Sequence, residues 1–167
     1  MRAGIITITI SAMALSACTG DNPDNVPLYG QWDMETKLGS LSIDGVLVPP
    51  ETVPGELKAM AGTDSICGEP MFINREWQKD DINRKVRGDC TMEEYDVTPT
   101  RVTGSGVCTG VAPEAEFNPR FTFEISQSAE RYRMKLEMTG DAKIPGDSRQ
   151  RVIRVSAIQE GIRSGEC

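Results

Sequence analysis

The sequence predicts a mainly β fold: a curved antiparallel sheet or incomplete β-barrel with one short helix, held by two disulfides. Three observations predict it. Several stretches alternate apolar and polar residues with period two, turn-forming residues separate them, and the four cysteines beyond the N-terminal region are even in number.

The elements follow in order. Trp32, Met34, Thr36 and Leu38 alternate with Gln31, Asp33, Glu35 and Lys37, which gives a first strand one buried and one wet face. Val48-Pro49-Pro50 and Val53-Pro54-Gly55 then break regular structure. Residues 74–87 are charged, and Ile73, Trp77, Ile82 and Val86 recur at intervals that suit a short amphipathic helix. Residues 91–97 and 101–109 flank Thr98-Pro99-Thr100 and read as a hairpin. A second hairpin is clearer. Phe121, Phe123 and Ile125 face inward on one arm, and Tyr132, Met134, Leu136 and Met138 on the other, across Ser128-Ala129-Glu130. Ile153, Val155 and Ala157 supply a last strand before the tail at residues 161–167.

The N-terminus sets the compartment. Arg2 precedes a largely apolar run to Leu15, too short to span a bilayer, and Leu15-Ser16-Ala17 places small residues directly before Cys18. The arrangement resembles a bacterial lipoprotein signal. That resemblance implies removal of residues 1–17, a diacylglycerol on Cys18 and an acyl chain such as palmitate on its new amino group. Several acyl chains anchor stably where one does not. Thr19, rather than Asp, follows the cysteine, and by resemblance to lipoprotein sorting this points to the outer membrane, facing the periplasm. Residues 18–28 then read as a tether of at most ~30 Å, and residues 29–167 as one β-rich domain.

Composition excludes several functions. The chain of 167 residues has a net charge of −7 and no histidine. Loss of residues 1–17 removes only Arg2 and leaves −8, so a basic footprint for nucleic acid is missing. Without histidine no Ser-His-Asp or Cys-His site can be built, and the commonest transition-metal ligand is gone. Cys67, Cys90, Cys108 and Cys167 lack the paired CxxC spacing of structural zinc sites. No cofactor is called for.

In an exported chain those four cysteines read as two disulfides. A hairpin centred on Pro99 sets Cys90 opposite Cys108, which leaves Cys67 for Cys167. The competing assignment pairs Cys67 with Cys90 and Cys108 with Cys167.

Gly30-Gln31-Trp32, Cys67-Gly68-Glu69-Pro70, Asp89-Cys90 with Tyr95, Val107-Cys108-Thr109-Gly110, the Met-rich strand from Tyr132 and the closing Gly165-Glu166-Cys167 together resemble the bacterial domain of unknown function 3617. The resemblance implies a small exported protein, often a lipoprotein, with a mostly β fold and no assigned activity. The long connection at residues 41–65 departs from the usual pattern.

Four local features are candidates for chemistry. Gly104-Ser105-Gly106 with Gly110 has no helix after it and suits strand curvature better than a nucleotide loop. Asp21, Asp24 and Asn25 lack the distal Glu of an EF-hand loop and read as solvated tether. Glu93, Glu94 and Asp96 read as solvated carboxylates, with strict alternation placing Glu93 on the face opposite the other two. Trp32, Met34, Met92, Phe121, Phe123, Tyr132, Met134 and Met138 form an apolar stripe that either packs a core or lines a cavity for an apolar guest.

Three functions follow as expectations. The first is a non-enzymatic, lipid-anchored envelope domain that binds an apolar small molecule or an envelope protein. The second is a structural or stress-response lipoprotein, and the third an enzyme using carboxylates, Tyr or Lys.

Overall fold

The computed structural model describes residues 24–167 except Met71, Arg87 and Pro145. The segment expected to be a signal peptide, Cys18 and Asp21 lie outside the described residues.

Eight strands form one open antiparallel sheet. They are β1 (Gly30–Ile43), β2 (Val46–Leu47), β3 (Gly62–Gly68), β4 (Asp89–Thr98), β5 (Arg101–Thr109), β6 (Arg120–Gln127), β7 (Arg131–Lys143) and β8 (Gln150–Gly165). The order is β2-β1-β8-β7-β6-β5-β4, with β3 pairing the first half of β1 beside β2. Strands β4 to β8 are a plain meander. The sheet closes on itself nowhere, so β4 is one edge and β3 with β2 the other.

The alternation seen in the sequence becomes the two faces of this sheet. Phe121, Phe123 and Ile125 of β6 stand opposite Met138, Leu136 and Met134 of β7, all buried, while Thr122, Glu124, Arg133 and Lys135 face out. Trp32, fully buried, sends its indole N–H to the Leu28 carbonyl at 2.9 Å. In β1 a register shift at Gly39 brings Leu41, one place late, onto the inner face. There it joins Val53 and Val155 in a second, smaller cluster covered by the 41–65 connection.

Helix α2 (Arg75–Val86) lies under the main core through Ile82 and Val86. The connection also holds one helical turn, α1 (Gly55–Lys58), which the breakers Pro49, Pro50 and Pro54 had hidden. Phe72, just before α2, packs its ring on Tyr132 at 4.2 Å and on Trp77 at 5.6 Å.

The domain begins earlier than Tyr29. Asn25 and Pro27 are buried, Asn25 Nδ2 donates to the Pro70 carbonyl, and Leu28 N–H donates to the Ala129 carbonyl at 2.9 Å. The last residues assigned to the tether are thus docked against the turn between β6 and β7.

Candidate functional site

The sheet has two ends, and the strand directions sort the molecule between them. One end carries Asn25 to Leu28, the β4–β5 and β6–β7 turns and the tail after β8. The other carries the β1–β2 hairpin, the β7–β8 loop and the connection after β5. Because β1 has 14 residues, the two ends are up to about 45 Å apart along a strand.

Both disulfides join the first assignment made from the sequence. Cys90 and Cys108 are directly opposed on β4 and β5, with Cα atoms 4.0 Å apart, and Cys67 is bonded to Cys167 with Cα atoms 5.6 Å apart. The reason for the first pairing differs from the one expected. The turn is a two-residue loop, Pro99-Thr100, because Thr98 pairs with Arg101. Continued unbroken, that register would set Cys90 against Thr109. A bulge between Met92 and Glu94 removes one step and restores Cys90 to Cys108.

The same bulge corrects the carboxylates. Glu93 does not face away from Glu94 and Asp96 as strict alternation requires; it is exposed and pairs with Arg120 on the outer face. Glu94 accepts a hydrogen bond from Ser105 at 3.0 Å. An outer-face groove of about 580 Å³ runs over Glu94, Asp96, Glu124 and Glu137 with Arg101 and Lys135 among them. Arg101 pairs with Glu124 at 3.0 Å and Lys135 with Glu137 at 2.6 Å, all well exposed. Such solvated pairs are worth little.

The apolar stripe is gathered as one body. Trp32, Phe121, Phe123, Tyr132, Met134, Met138 and Met92 belong to a single buried cluster, with Met34 half-buried against it. Three aromatic rings lie over glycines that are their direct cross-strand partners: Phe123 over Gly104, Phe121 over Gly106 and Tyr132 over Gly161. A Cβ on Gly106 would come within 2.0 Å of the Thr91 carbonyl. The glycine-rich β5 is therefore a floor for aromatic rings. Of the two concavities described here, the groove touches this cluster only through Phe123 and Tyr95, and the pocket below has none of its residues.

Two phenols inside it are held protonated. Burial pushes Tyr95 up to about 12, and burial, helped by the charges of Asp81 and Asp64, pushes Tyr132 higher still. Tyr95 donates to the Phe72 carbonyl at 2.9 Å, and Tyr132 to Gln159 Oε1 at 3.3 Å. These hydroxyls brace the core. Among the described residues no three His, Cys, Asp or Glu side chains gather where they could hold one metal ion.

The far end carries what sequence reasoning missed. Asp44 and Gly45 both have positive φ, 49° and 81°, and make the tight turn that projects Val46 and Leu47. These two side chains are 71% and 70% exposed. With Ile43, Val48, Pro49 and Ile144 they rim a pocket of about 430 Å³. At its side Arg151 donates to Asp44 at 2.7 Å and to Asp147 at 2.8 Å. The bond from Arg151, with that from the Val152 amide, holds the Asp44 carboxyl below its usual range. The Arg149 amide and then Arg151 do the same for Asp147. The only sequence signal was Asp44-Gly45, a hairpin dipeptide that a long connection concealed.

No helix among the described residues is long and apolar enough to cross a membrane. A family model described as protein of unknown function (DUF3617) matches residues 26–167. No curated protein and no solved structure matches the chain.

Proposed function

The chain belongs to the DUF3617 family of proteins of unknown function, and from that premise we propose that it is a non-enzymatic, lipid-anchored domain of the bacterial cell envelope that binds an envelope protein with the end of its sheet farthest from the anchor. The exposed pair Val46 and Leu47 above the 430 Å³ pocket carries the reading. Two aliphatic side chains with some 70% of their surface in water are unfavourable on an isolated domain. The charges beside them are already matched, Asp44 and Asp147 to Arg151 and Asp147 also to Arg149, so the patch offers apolar surface without a net charge to satisfy.

Geometry favours a protein over the anchoring membrane as the occupant. Acylated Cys18 would leave six residues before Asn25, a reach of about 20 Å, and Asn25 is docked at the opposite end of the sheet. The hairpin then stands clear of the lipid. The Met and aromatic stripe supports a packed core, and the protonated, hydrogen-bonded phenols support a role without acid-base chemistry.

A photo-crosslinking side chain at Leu47, compared in living cells with one at exposed Ile162, tests this. The expected result is a discrete protein adduct from position 47 and none from 162. Adducts from 162 alone, or from neither position, would overturn the reading. Loss of the acylated mass in Cys18→Ala tests the anchor separately.

A further inference from the structure

The two disulfides differ in their access to solvent. Cys90 and Cys108 are 0% and 1% exposed. They lie beneath α2, whose Asn83 accepts the Cys90 N–H at 2.8 Å. Cys67 and Cys167 are both exposed. Their bridge crosses the start of β1, where Gln31 is paired with Cys67 of β3 on one side and with Gly165 of β8 on the other. It therefore fastens an edge strand to the tail that follows β8.

One further group stands at this bridge. The Tyr29 hydroxyl lies 3.8 Å from Cys67 Sγ. Its residue is held in place, because Arg163 Nε donates to the Tyr29 carbonyl at 2.9 Å and Arg163 also pairs with Glu166. A hydroxyl in that position is a ready donor to a thiolate forming on Cys67, and a stabilised thiolate leaves faster in exchange.

We propose that the Cys67–Cys167 bridge is a site of thiol–disulfide exchange for a dithiol oxidoreductase, attacked at Cys167 with Cys67 as the leaving sulfur. The partner's thiolate forms a bond to Cys167 Sγ. The Cys67–Cys167 bond breaks, and its electron pair passes to Cys67 Sγ, which takes the Tyr29 hydrogen bond and then a solvent proton. The partner's second thiolate attacks its own sulfur in the mixed disulfide and releases Cys167. The bridge is reduced to two thiols, and the partner's dithiol is oxidised to a disulfide. Strand β3 then keeps its ladder to β1, the packing of Ile66 on the core and the hydrogen bonds of Ser65 with Asp33, Gln31 and the Trp32 carbonyl. The Cys90–Cys108 bridge stays sealed throughout.

Oxidised protein incubated with graded dithiothreitol, trapped with a maleimide and mapped by peptides, supplies the test. Cys67–Cys167 should open at least tenfold faster than Cys90–Cys108. Tyr29→Phe should slow that opening by about tenfold, the worth of one hydrogen bond to a charged group, while the far-ultraviolet dichroism and the Cys90–Cys108 rate stay unchanged. A CxxC oxidoreductase lacking its resolving cysteine should be captured on Cys167. Joint opening of the two bridges, an unchanged rate in Tyr29→Phe, or capture on Cys67 would overturn the proposal.

Discussion

At one edge of the sheet β4 lies against α2, with Asn83 accepting the Cys90 N–H and Arg75 donating to the Met92 carbonyl at 2.7 Å. At the other edge β3 lies against β1 alone, mostly exposed, its Ser65 N–H turned to its own neighbour Asp64 at 2.8 Å. Unpaired backbone groups at a sheet edge invite association. The chain handles this at β4 with a helix and two side chains, and at β3 with a covalent strap. Where a core exists, as around Trp32, Phe121 and Ile82, a helix can cover an edge and gain apolar burial. Strand β3 has little apolar surface to bury, so its hold comes from the ladder and the bridge.

Four perturbations would break or sharpen this contrast. Replacing Cys67 and Cys167 together by Ser should lower stability the most, by about 4.7 kcal/mol for a loop of 100 residues in the chain-entropy model. Replacing Cys90 and Cys108 by Ala should cost about 3 kcal/mol for a separation of 18. Urea midpoints of the two variants decide the order. A reversed order would mean that burial, not loop length, sets the worth of a bridge here.

Asn83→Ala comes next. It strips the acceptor from the buried edge and should cost about 1–2 kcal/mol, against about 0.5 kcal/mol or less for Ser65→Ala at the exposed edge, where water replaces the lost bonds. Equal costs in denaturant unfolding would erase the difference between the edges.

The smallest effect concerns the far hairpin. Asp44 and Asp147 have carboxyls held below the ordinary value near 3.8. Their pairing with Arg151 therefore stabilises the hairpin above that value, and the stabilisation fades as pH falls through the lowered folded value. Amide exchange at residues 43–48, corrected for its intrinsic pH dependence, should speed up below pH about 3.8, and Arg151→Met should abolish that dependence.

Much of the fold was legible because inward residues alternate without interruption. The Phe121 and Tyr132 strands show it, and burial follows their pattern residue by residue. Three places were opaque for physical reasons. Strand β3, exposed at an edge, half-buries only Ile66 and Gly68, too little for an alternation to show. Glu93 and Gly39 sit at bulges, which shift the register without any cost visible in composition. In α2 the buried side carries Gln78 and Asp81 as well as Ile82 and Val86, so apolar spacing alone showed half of it. Of the candidate site, the cysteine pairing was readable. The hairpin of Val46 and Leu47 was not, since its prominence depends on a turn two residues long inside a connection of unknown path.

The strap between β3 and the tail has a consequence for how the chain is made. Cys67 precedes the other three bridge cysteines, while its partner comes last. An oxidant that met the thiols in order of synthesis would join Cys67 to Cys90 and strand the remaining two together. Cys90 escapes because the β4–β5 hairpin needs only its own short stretch of chain. Hairpins close in roughly 1–10 μs, far ahead of disulfide chemistry at seconds or longer. Strand β1, by contrast, waits for β8 before its long ladder can form. Biosynthesis thus leaves Cys67 as a nascent thiol for longer than any other, and the speed of one local hairpin protects it from the wrong bond.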